Sequence, residues 1–184
     1  FRNKPILLMF NVWGGAAGMA AANLLIESGA KKILFIGWTG AFRKEDIGGY
    51  IIPAEVYCFD GITKIIQPKI KSVYPDKEML DIVKSHLDSN RIKYSTGATI
   101  CTPSADQRVF RHFKAAIKRL KPISVEMELS PFLFAANERK VPAAAILVVS
   151  DTNRKSTLSK TAEKKRAKRQ KEAIRCAAEI IEKM

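Results

Sequence analysis

One apolar run constrains the fold of this chain more than any other feature. The run extends from Val141 to Val149 without a charged side chain and leads directly into Ser150 and Asp151. A run of this kind, bounded by turn-forming residues, is typical of a strand that is buried on both faces of a parallel sheet. Because the strand ends where the polar residues begin, Asp151 is predicted at the carboxyl-terminal rim of the sheet.

A second stretch, Ser124 to Ser130, is predicted to be a short strand that ends on two carboxylates. Side chains alternate along a strand, so Val125 and Met127 are expected on one face, and Glu126 and Glu128 on the other. Acids at the carboxyl end of a strand lie where open α/β sheets bind small molecules. The stretch therefore predicts a ligand site, and a plain sheet edge is the alternative.

Strand patterns and helix patterns alternate along the whole chain. Besides the two stretches above, strands are predicted at Pro5–Phe10, Lys32–Gly37, Tyr50–Asp60 and Arg91–Cys101. Helices are predicted at Ala16–Ser28, after a cap at Asp76, at Val109–Leu120 and between Ser130 and Lys140. This alternation predicts an α/β fold in which residues 1–184 form a single domain, with a mostly parallel central sheet and helices on both faces.

Length and composition agree with one soluble domain. The chain has 184 residues, of which 47% are hydrophobic, enough for one substantial core. No apolar run reaches the length of a membrane span, and Pro5–Phe10 is too short for a signal peptide, so we expect a cytoplasmic protein. The three cysteines are an odd number without C-x-x-C spacing. This argues against a disulfide framework and against a metal site, and favours buried thiols.

The net charge of +14 raises the question of a nucleic-acid partner. The charge is concentrated between Arg154 and Arg175, which is predicted to be part of a long helix with one apolar stripe and a basic, solvated face. No helix-turn-helix, zinc-finger or aromatic RNA-binding motif accompanies it. A solvated face, or a rim for an anionic substrate, is therefore favoured over a nucleic-acid surface.

The two carboxylate-bearing stretches are predicted to bring Glu128 and Asp151 to one pocket from neighbouring strands. Val125–Glu128 and Val148–Asp151, separated by one helix, resemble the nucleoside phosphorylase and nucleosidase superfamily. Gly29–Ala41 is similar to the strand and glycine turn at that family's phosphate and base site, and Ile47–Pro53 to the segment that follows.

The resemblance implies cleavage of an N-ribosyl bond in a nucleoside or nucleotide. It also implies a homo-oligomer, a trimer or hexamer, with sites shared across interfaces. Family members carry a further β-rich segment before the point that corresponds to Phe1, and we expect this chain to lack it.

The resemblance assigns the sugar to the first stretch. Glu128 corresponds to the glutamate that binds the ribose hydroxyls, Met127 would pack beneath the sugar ring, and Glu126 belongs to the same group. A core methionine followed by a solvated strand end is the alternative.

The resemblance assigns the base to the second stretch. Asp151 corresponds to the catalytic acid that protonates N7 of a purine, and a turn cap formed with Thr152 and Asn153 is the alternative. The other expected base-binding residues are Thr39, Gly40, Ser150 and Lys164.

The nucleophile is the least specified part of the predicted site. The arginine and the hydroxyl that phosphorolytic members use are missing around Phe35 and Trp38. The candidate phosphate ligands that remain are Gly14, Gly15, Trp38 and Arg43. No cofactor is expected, only inorganic phosphate as co-substrate.

Phosphorolysis of a purine nucleoside is the leading functional prediction. Hydrolysis by an AMP nucleosidase-like enzyme is the second, since that branch also has a phenylalanine at the position of Phe35. A uridine phosphorylase, in which Gln107 and Arg108 would bind the base, is the third. A basic nucleotide-binding or nucleic-acid-binding protein without activity is the alternative outside enzymes.

Overall fold

The structure, a computed structural model, describes residues 6–43, 48–152 and 160–183. Within these ranges the helices are α1 (Gly15–Glu27), α2 (Ile62–Ile66), α3 (Lys77–Ser89), α4 (Gln107–His112), α5 (Lys114–Leu120), α6 (Leu129–Glu138) and α7 (Lys160–Lys183). The strands are β1 (Ile33–Ala41), β2 (Tyr50–Cys58), β3 (Ser72–Val73), β4 (Tyr94–Cys101), β5 (Ser124–Glu126) and β6 (Ala143–Thr152).

The sheet is mixed and closes on itself. The strand order is β3-β2-β4-β5-β1-β6, and a further pairing of β2 with β6 joins five of the strands into a barrel-like ring. Three pairings are parallel (β1 with β6, β2 with β4, β4 with β5) and three are antiparallel (β1 with β5, β2 with β3, β2 with β6). The prediction of a mostly parallel sheet was therefore wrong, although the α/β class was right.

The predicted buried strand is β6, and helices cover both of its faces. Its alternate residues Ala143, Ala145, Leu147 and Val149 belong to a core cluster with residues of α1 and α6. The residues between them, Ala144, Ile146 and Val148, belong to a second cluster with residues of α3 and α7. Since both faces are covered by helices, every position from 143 to 149 is buried, which explains why the run is continuously apolar.

Local signals determine where the helices begin and end. Asp76 caps α3 by accepting a hydrogen bond from the Met79 N–H at 2.9 Å. Gly29 follows α1 at φ 94°, where its N–H bonds to Ile26 O and the N–H of Ala30 bonds to Leu25 O. This is the paired hydrogen bonding that a glycine after a helix makes possible.

Two predicted elements differ from the structure. Residues 6–10 lie outside any strand, because no described segment pairs with them, and the side chains of Leu8 and Phe10 are 70% and 71% exposed. The predicted helix Val109–Leu120 is two helices that meet at Phe113, the residue that ends α4 and precedes α5.

The predicted burial of the thiols is confirmed, since Cys58, Cys101 and Cys176 are all buried. Among the described helices, none combines the length and the apolar character needed to cross a bilayer.

Candidate functional site

Glu128 lies at the beginning of α6, where its carboxylate faces the beginning of α1. Its Oε1 accepts a hydrogen bond from the Gly14 N–H at 2.6 Å, and its Oε2 accepts one from the Met127 N–H at 3.3 Å. A free amide at a helix start carries partial positive charge, so it stabilises a carboxylate there. The side chain is therefore fixed by main-chain donors and remains half-buried, within reach of a ligand.

The contact between α1 and Glu128 depends on a glycine. A Cβ atom added to Gly18 would lie 2.5 Å from the Glu128 carbonyl oxygen, closer than carbon and oxygen atoms pack. Only a residue without a side chain lets α1 approach the start of α6 this closely. Gly18 is thus part of what positions Glu128, and sequence analysis did not identify it.

Glu126 has a different environment from Glu128, contrary to the prediction that both project from one strand face. β5 ends at Glu126, whose side chain is turned towards the start of α6. Its Oε2 accepts hydrogen bonds from the N–H groups of Glu128 at 2.7 Å and Leu129 at 2.6 Å. Glu126 is 5% exposed, so it is a buried helix cap, and its prediction as a ribose ligand finds no support in this geometry.

Asp60 is a third carboxylate in this region, and sequence analysis did not identify it. Its Oδ1 accepts a hydrogen bond from the Thr63 N–H at 2.9 Å at the start of α2, and its Oδ2 accepts one from Ser130 Oγ at 2.6 Å in α6. Asp60 is 5% exposed. The available sequence signal is an aspartate shortly before a helix, which is a common helix-start residue.

Burial dominates the electrostatics of this carboxylate cluster (Asp60, Glu126 and Glu128). Burial raises the pKa of Glu126 to about 7; the charge of Glu128 adds to the increase, and hydrogen bonds from the Glu128 and Leu129 N–H groups and the Cys101 thiol oppose it. Burial, then the charge of Asp60, raises the pKa of Cys58 to about 12. Both effects follow from the cost of placing a second negative charge in a poorly solvated region.

The second part of the candidate site, the base rim (Thr39, Gly40, Ser150 and Asp151), lies where β1 and β6 end. Asp151 is paired with Gly40 across the two strands, just after a register shift between Thr39 and Gly40. A Cβ added to Gly40 would lie 3.1 Å from Asp151 Oδ1, so the glycine leaves room for this carboxylate. Asp151 Oδ2 accepts a hydrogen bond from Ser150 Oγ at 2.7 Å. Asp151 lies in β6, one residue before the end of the strand, and Asn153 of the alternative turn cap lies outside the described residues.

Thr39 has a structural contact in this rim. Its Oγ1 donates to Val125 O of β5 at 2.8 Å, while its own carbonyl oxygen accepts a hydrogen bond from Ser150 Oγ at 3.3 Å. The side chain is 2% exposed. Its hydroxyl therefore links β1 to β5. This structural contact is separate from the base-binding role that the sequence predicts for Thr39.

The two parts of the site are linked through β1, since β5 and β6 are not neighbours. Gly40 is paired with Val125 on one side and with Asp151 on the other. The stretch that carries Glu128 and the strand that carries Asp151 thus lie on opposite sides of β1. The expectation that these two segments are neighbours in the sheet was wrong.

The four candidate phosphate ligands are not brought together as a group. The Gly14 N–H is occupied by Glu128, and Gly15 packs against α6, where an added Cβ would lie 3.2 Å from Pro131 Cγ. Trp38 packs in the cluster with α3 and α7, and Arg43 is exposed after β1.

Lys164 and Phe35 are the other two positions that the sequence linked to the site. Lys164 is exposed on α7, and none of the ion pairs between described residues joins it to Asp151. Phe35, where the missing phosphate arginine was expected, packs on Phe132 with ring centroids 5.1 Å apart.

A groove of about 780 Å³ lies elsewhere, along α3 and the end of α7. It is lined by Asp76, Lys77, Glu78, Asp81, Ile82, Ser85, His86, Ser89 and Ile180, none of which belongs to the candidate site. His86 is already paired there with Glu179, at 3.3 Å. We place the candidate site at the carboxylates because the segments that carry Glu128 and Asp151 both pair with Gly40 of β1, which the groove residues do not.

Comparison with known proteins gives a family and a fold. The model of the phosphorylase superfamily matches residues 8–183. No curated protein matches the chain by sequence.

Solved structures resemble the fold at low sequence identity. A 5′-methylthioadenosine/S-adenosylhomocysteine nucleosidase from Campylobacter jejuni superposes with a TM-score of 0.80 at 18% identity, over 94% of this chain and 78% of that one. A futalosine hydrolase from Helicobacter pylori gives 0.76 at 15% identity, over 94% and 77%. An AMP nucleosidase from Bacteroides thetaiotaomicron gives 0.68 at 21% identity, over 89% and 69%.

Proposed function

Because the chain belongs to the phosphorylase superfamily, we propose that it cleaves the N-glycosidic bond of a purine nucleoside or nucleotide by hydrolysis. Hydrolysis, the second prediction from the sequence, thus replaces phosphorolysis as the leading function. The names of the three similar structures, two nucleosidases and a hydrolase, support this choice.

The observation that carries the proposal is the hydrogen bond between the Gly14 N–H and Glu128. The amide at the start of α1 was a candidate phosphate donor, and the Glu128 carboxylate takes it at 2.6 Å. Two further carboxylates, Asp60 and Glu126, are buried beside the same corner. A phosphate ion would have to enter against the negative charges of Glu128 and Asp60, whereas a water molecule would not.

In this proposal the sugar is held by Glu128. The bond from C1′ of the ribose to N9 of the base breaks through a state in which the sugar carries positive charge. A carboxylate at the sugar hydroxyls becomes more strongly bound as that charge develops. Glu128 is suited to this role because main-chain amides fix it in place before the substrate binds.

Asp151 is proposed as the acid that meets the base. As the bond breaks, its electron pair goes to the base and Asp151 donates a proton to N7. Water adds its oxygen to C1′, and the proton that this water loses restores the acid form of Asp151 through solvent. The products are then the free base and the sugar with a hydroxyl at C1′, which keeps any 5′ substituent of the substrate. Ser150, which donates to Asp151 Oδ2 at 2.7 Å, would hold the carboxyl in position.

The test is release of the base with and without phosphate. Adenosine, inosine, AMP, 5′-methylthioadenosine, S-adenosylhomocysteine and uridine are incubated with the protein in phosphate-free buffer and again with phosphate, and the base and sugar products are separated by chromatography. We expect release from at least one purine substrate at the same rate in both buffers, with free sugar as product. Strict dependence on phosphate, with ribose 1-phosphate as product, would instead establish phosphorolysis.

We also propose a homo-oligomer, as the sequence resemblance implied. Leu8, Phe10 and Trp13 form an exposed apolar stretch directly before Gly14, with exposures of 70%, 71% and 73%. Apolar surface of this kind usually marks an interface. Light scattering after size-exclusion chromatography measures the mass, and a monomer across the concentration range of the assay would contradict the proposal.

A further inference from the structure

Glu126 holds the main chain from which Glu128 projects. It is the last residue of β5, and its Oε2 receives the N–H groups of both Glu128 and Leu129. These are amides at the start of α6, which have no partner within the helix. One buried side chain therefore fixes the peptide groups on either side of the Glu128 Cα atom.

The other oxygen of Glu126 is enclosed by the protein. Oε1 is buried, and none of the residues that the structure describes offers it a hydrogen bond of good geometry. The groups that act on this carboxyl from the elements around it are Cys101 of β4 and Glu128 in its own segment, and its charge also reaches Cys58 of β2. With both oxygens turned into the protein and 5% exposure, Glu126 has no surface to offer a sugar hydroxyl.

We propose that Glu126 is a positioning residue, which acts through Glu128 and does not touch the substrate. It orients the main chain at Glu128 and Leu129 so that the Glu128 carboxylate meets the ribose hydroxyls. The inference rests on the proposed function, and it replaces the direct role in ribose binding that the sequence implied for Glu126.

Glu128 is held at two places, its carboxylate and its main chain. The Gly14 N–H fixes its carboxylate from α1, and Glu126 fixes its backbone from β5. Loss of the Glu126 carboxyl would leave two buried amides without an acceptor, so the chain would shift to find one. The carboxylate would then lose its position against the sugar, although Glu128 itself is unchanged.

Substrates with and without sugar hydroxyls distinguish this role from a merely structural one. In E126A we expect kcat/KM for the best ribonucleoside to fall about 10- to 100-fold, and that for its 2′,3′-dideoxy analogue by less than about threefold. The analogue has already lost the contact that Glu126 supports.

In E126Q the amide oxygen can still accept both N–H groups, so kcat/KM should remain within about threefold of wild type. Glu138→Ala, at the exposed end of α6, is the control.

An equal loss for both substrates in E126A would overturn the inference and leave the proposed function intact. So would an E126Q variant as impaired as E126A, because an acceptor oxygen would then not be the important feature. A wild-type protein that turns over no nucleoside would overturn the proposed function, and this inference with it.

A pH titration of stability tests the buried position of Glu126 without any substrate. Its pKa is raised in the folded state, so the proton stabilises the fold at low pH, and that stability is lost as pH rises from about 4.5 towards about 7. We expect the difference in denaturation midpoint, E126Q minus wild type, to increase over this range and to be constant beyond pH 7. A difference between the two proteins that is constant from pH 4.5 to 8 would show that Glu126 ionises as an exposed acid does, which contradicts the proposed geometry.

Discussion

The two parts of the candidate site are built in different ways. The carboxylate cluster forms the sugar end of the site. Its three side chains, Glu126, Glu128 and Asp60, each accept a hydrogen bond from a main-chain amide at the start of a helix. At the base rim, the side chain that bonds to Asp151 among the described residues is Ser150, and Gly40 leaves room for the carboxylate. Main-chain donors are fixed by the fold, whereas a serine hydroxyl can rotate.

This difference suggests a division of labour within the site. In the proposed function the sugar end of the site binds the ribose, which is common to every nucleoside. A rigid arrangement of main-chain amides therefore serves all substrates equally. The base differs between substrates. In the proposed function the base rim contacts it, and this rim depends on side chains, which can rotate or be substituted. On this basis, substitutions that remove a main-chain contact of the carboxylate cluster are expected to alter folding and activity together, whereas substitution of Asp151 at the base rim is expected to alter activity alone.

The largest effect is expected from Asp151→Asn. Asparagine keeps the shape and the acceptor for Ser150 but has no proton of suitable acidity to give, so turnover of a purine substrate should fall about 10²- to 10⁴-fold. Steady-state kinetics measure the loss, and circular dichroism should show an unchanged fold. Ser150→Ala is the matched control, with an expected loss of only a few-fold. Unimpaired turnover in D151N would remove Asp151 from the mechanism.

The next effect is expected from Glu128→Gln. The amide oxygen still accepts from the Gly14 N–H, but the negative charge that stabilises the sugar cation is gone, so kcat/KM should fall roughly 10²-fold. Glu138→Gln, at the exposed far end of α6, is the control and should match wild type. If both variants behaved alike, Glu128 would be a solvated residue at the end of a strand and not a sugar ligand.

Prediction from the sequence succeeded where the signal lies within one short segment of the chain. The run in β6 could be recognised because helices cover both faces of the strand, and the start of α3 because Asp76 is a cap close to Met79. Ring closure of the sheet could not be predicted, because the pairings of β1 with β5 and of β2 with β6 join segments that are distant in the chain.

The site was predicted only in part for the same reason. Alternation predicted a shared face for Glu126 and Glu128, but the hydrogen bonds from Glu128 and Leu129 to Glu126 end the strand first. Asp60 and Gly18 were missed because their importance lies in contacts with Ser130 and Glu128, far along the chain.

Gly18→Ala tests the rigid sugar end by its effect on stability. The added methyl group would lie 2.5 Å from the Glu128 carbonyl oxygen, so α1 or α6 must move. Overpacking of this kind costs about 1–3 kcal/mol in the free energy of unfolding, and we expect about 3 kcal/mol here because the contact is with a main-chain atom. The better helix propensity of alanine offsets about 1 kcal/mol of this cost. Chemical denaturation measures the change, and kcat/KM should fall with it. Ala20→Ser, at an exposed position in α1, is the control. A variant as stable as wild type would show that α1 can be displaced without cost.

The smallest effect is expected from Thr39→Val, and it tests whether the base rim is separable from the fold. The Thr39 hydroxyl donates to Val125 O at 2.8 Å, so the substitution removes a hydrogen bond between β1 and β5 and should reduce the free energy of unfolding by about 1 kcal/mol. If the hydroxyl only ties β1 to β5, the KM for the nucleoside should change less than about twofold, because binding of the base does not use it. Thr39→Ser keeps the donor and should retain wild-type stability. A rise in KM of tenfold or more with little change in stability would instead show that Thr39 binds the base, as the sequence predicted, and would move this residue from the framework of the site to its ligand-binding surface.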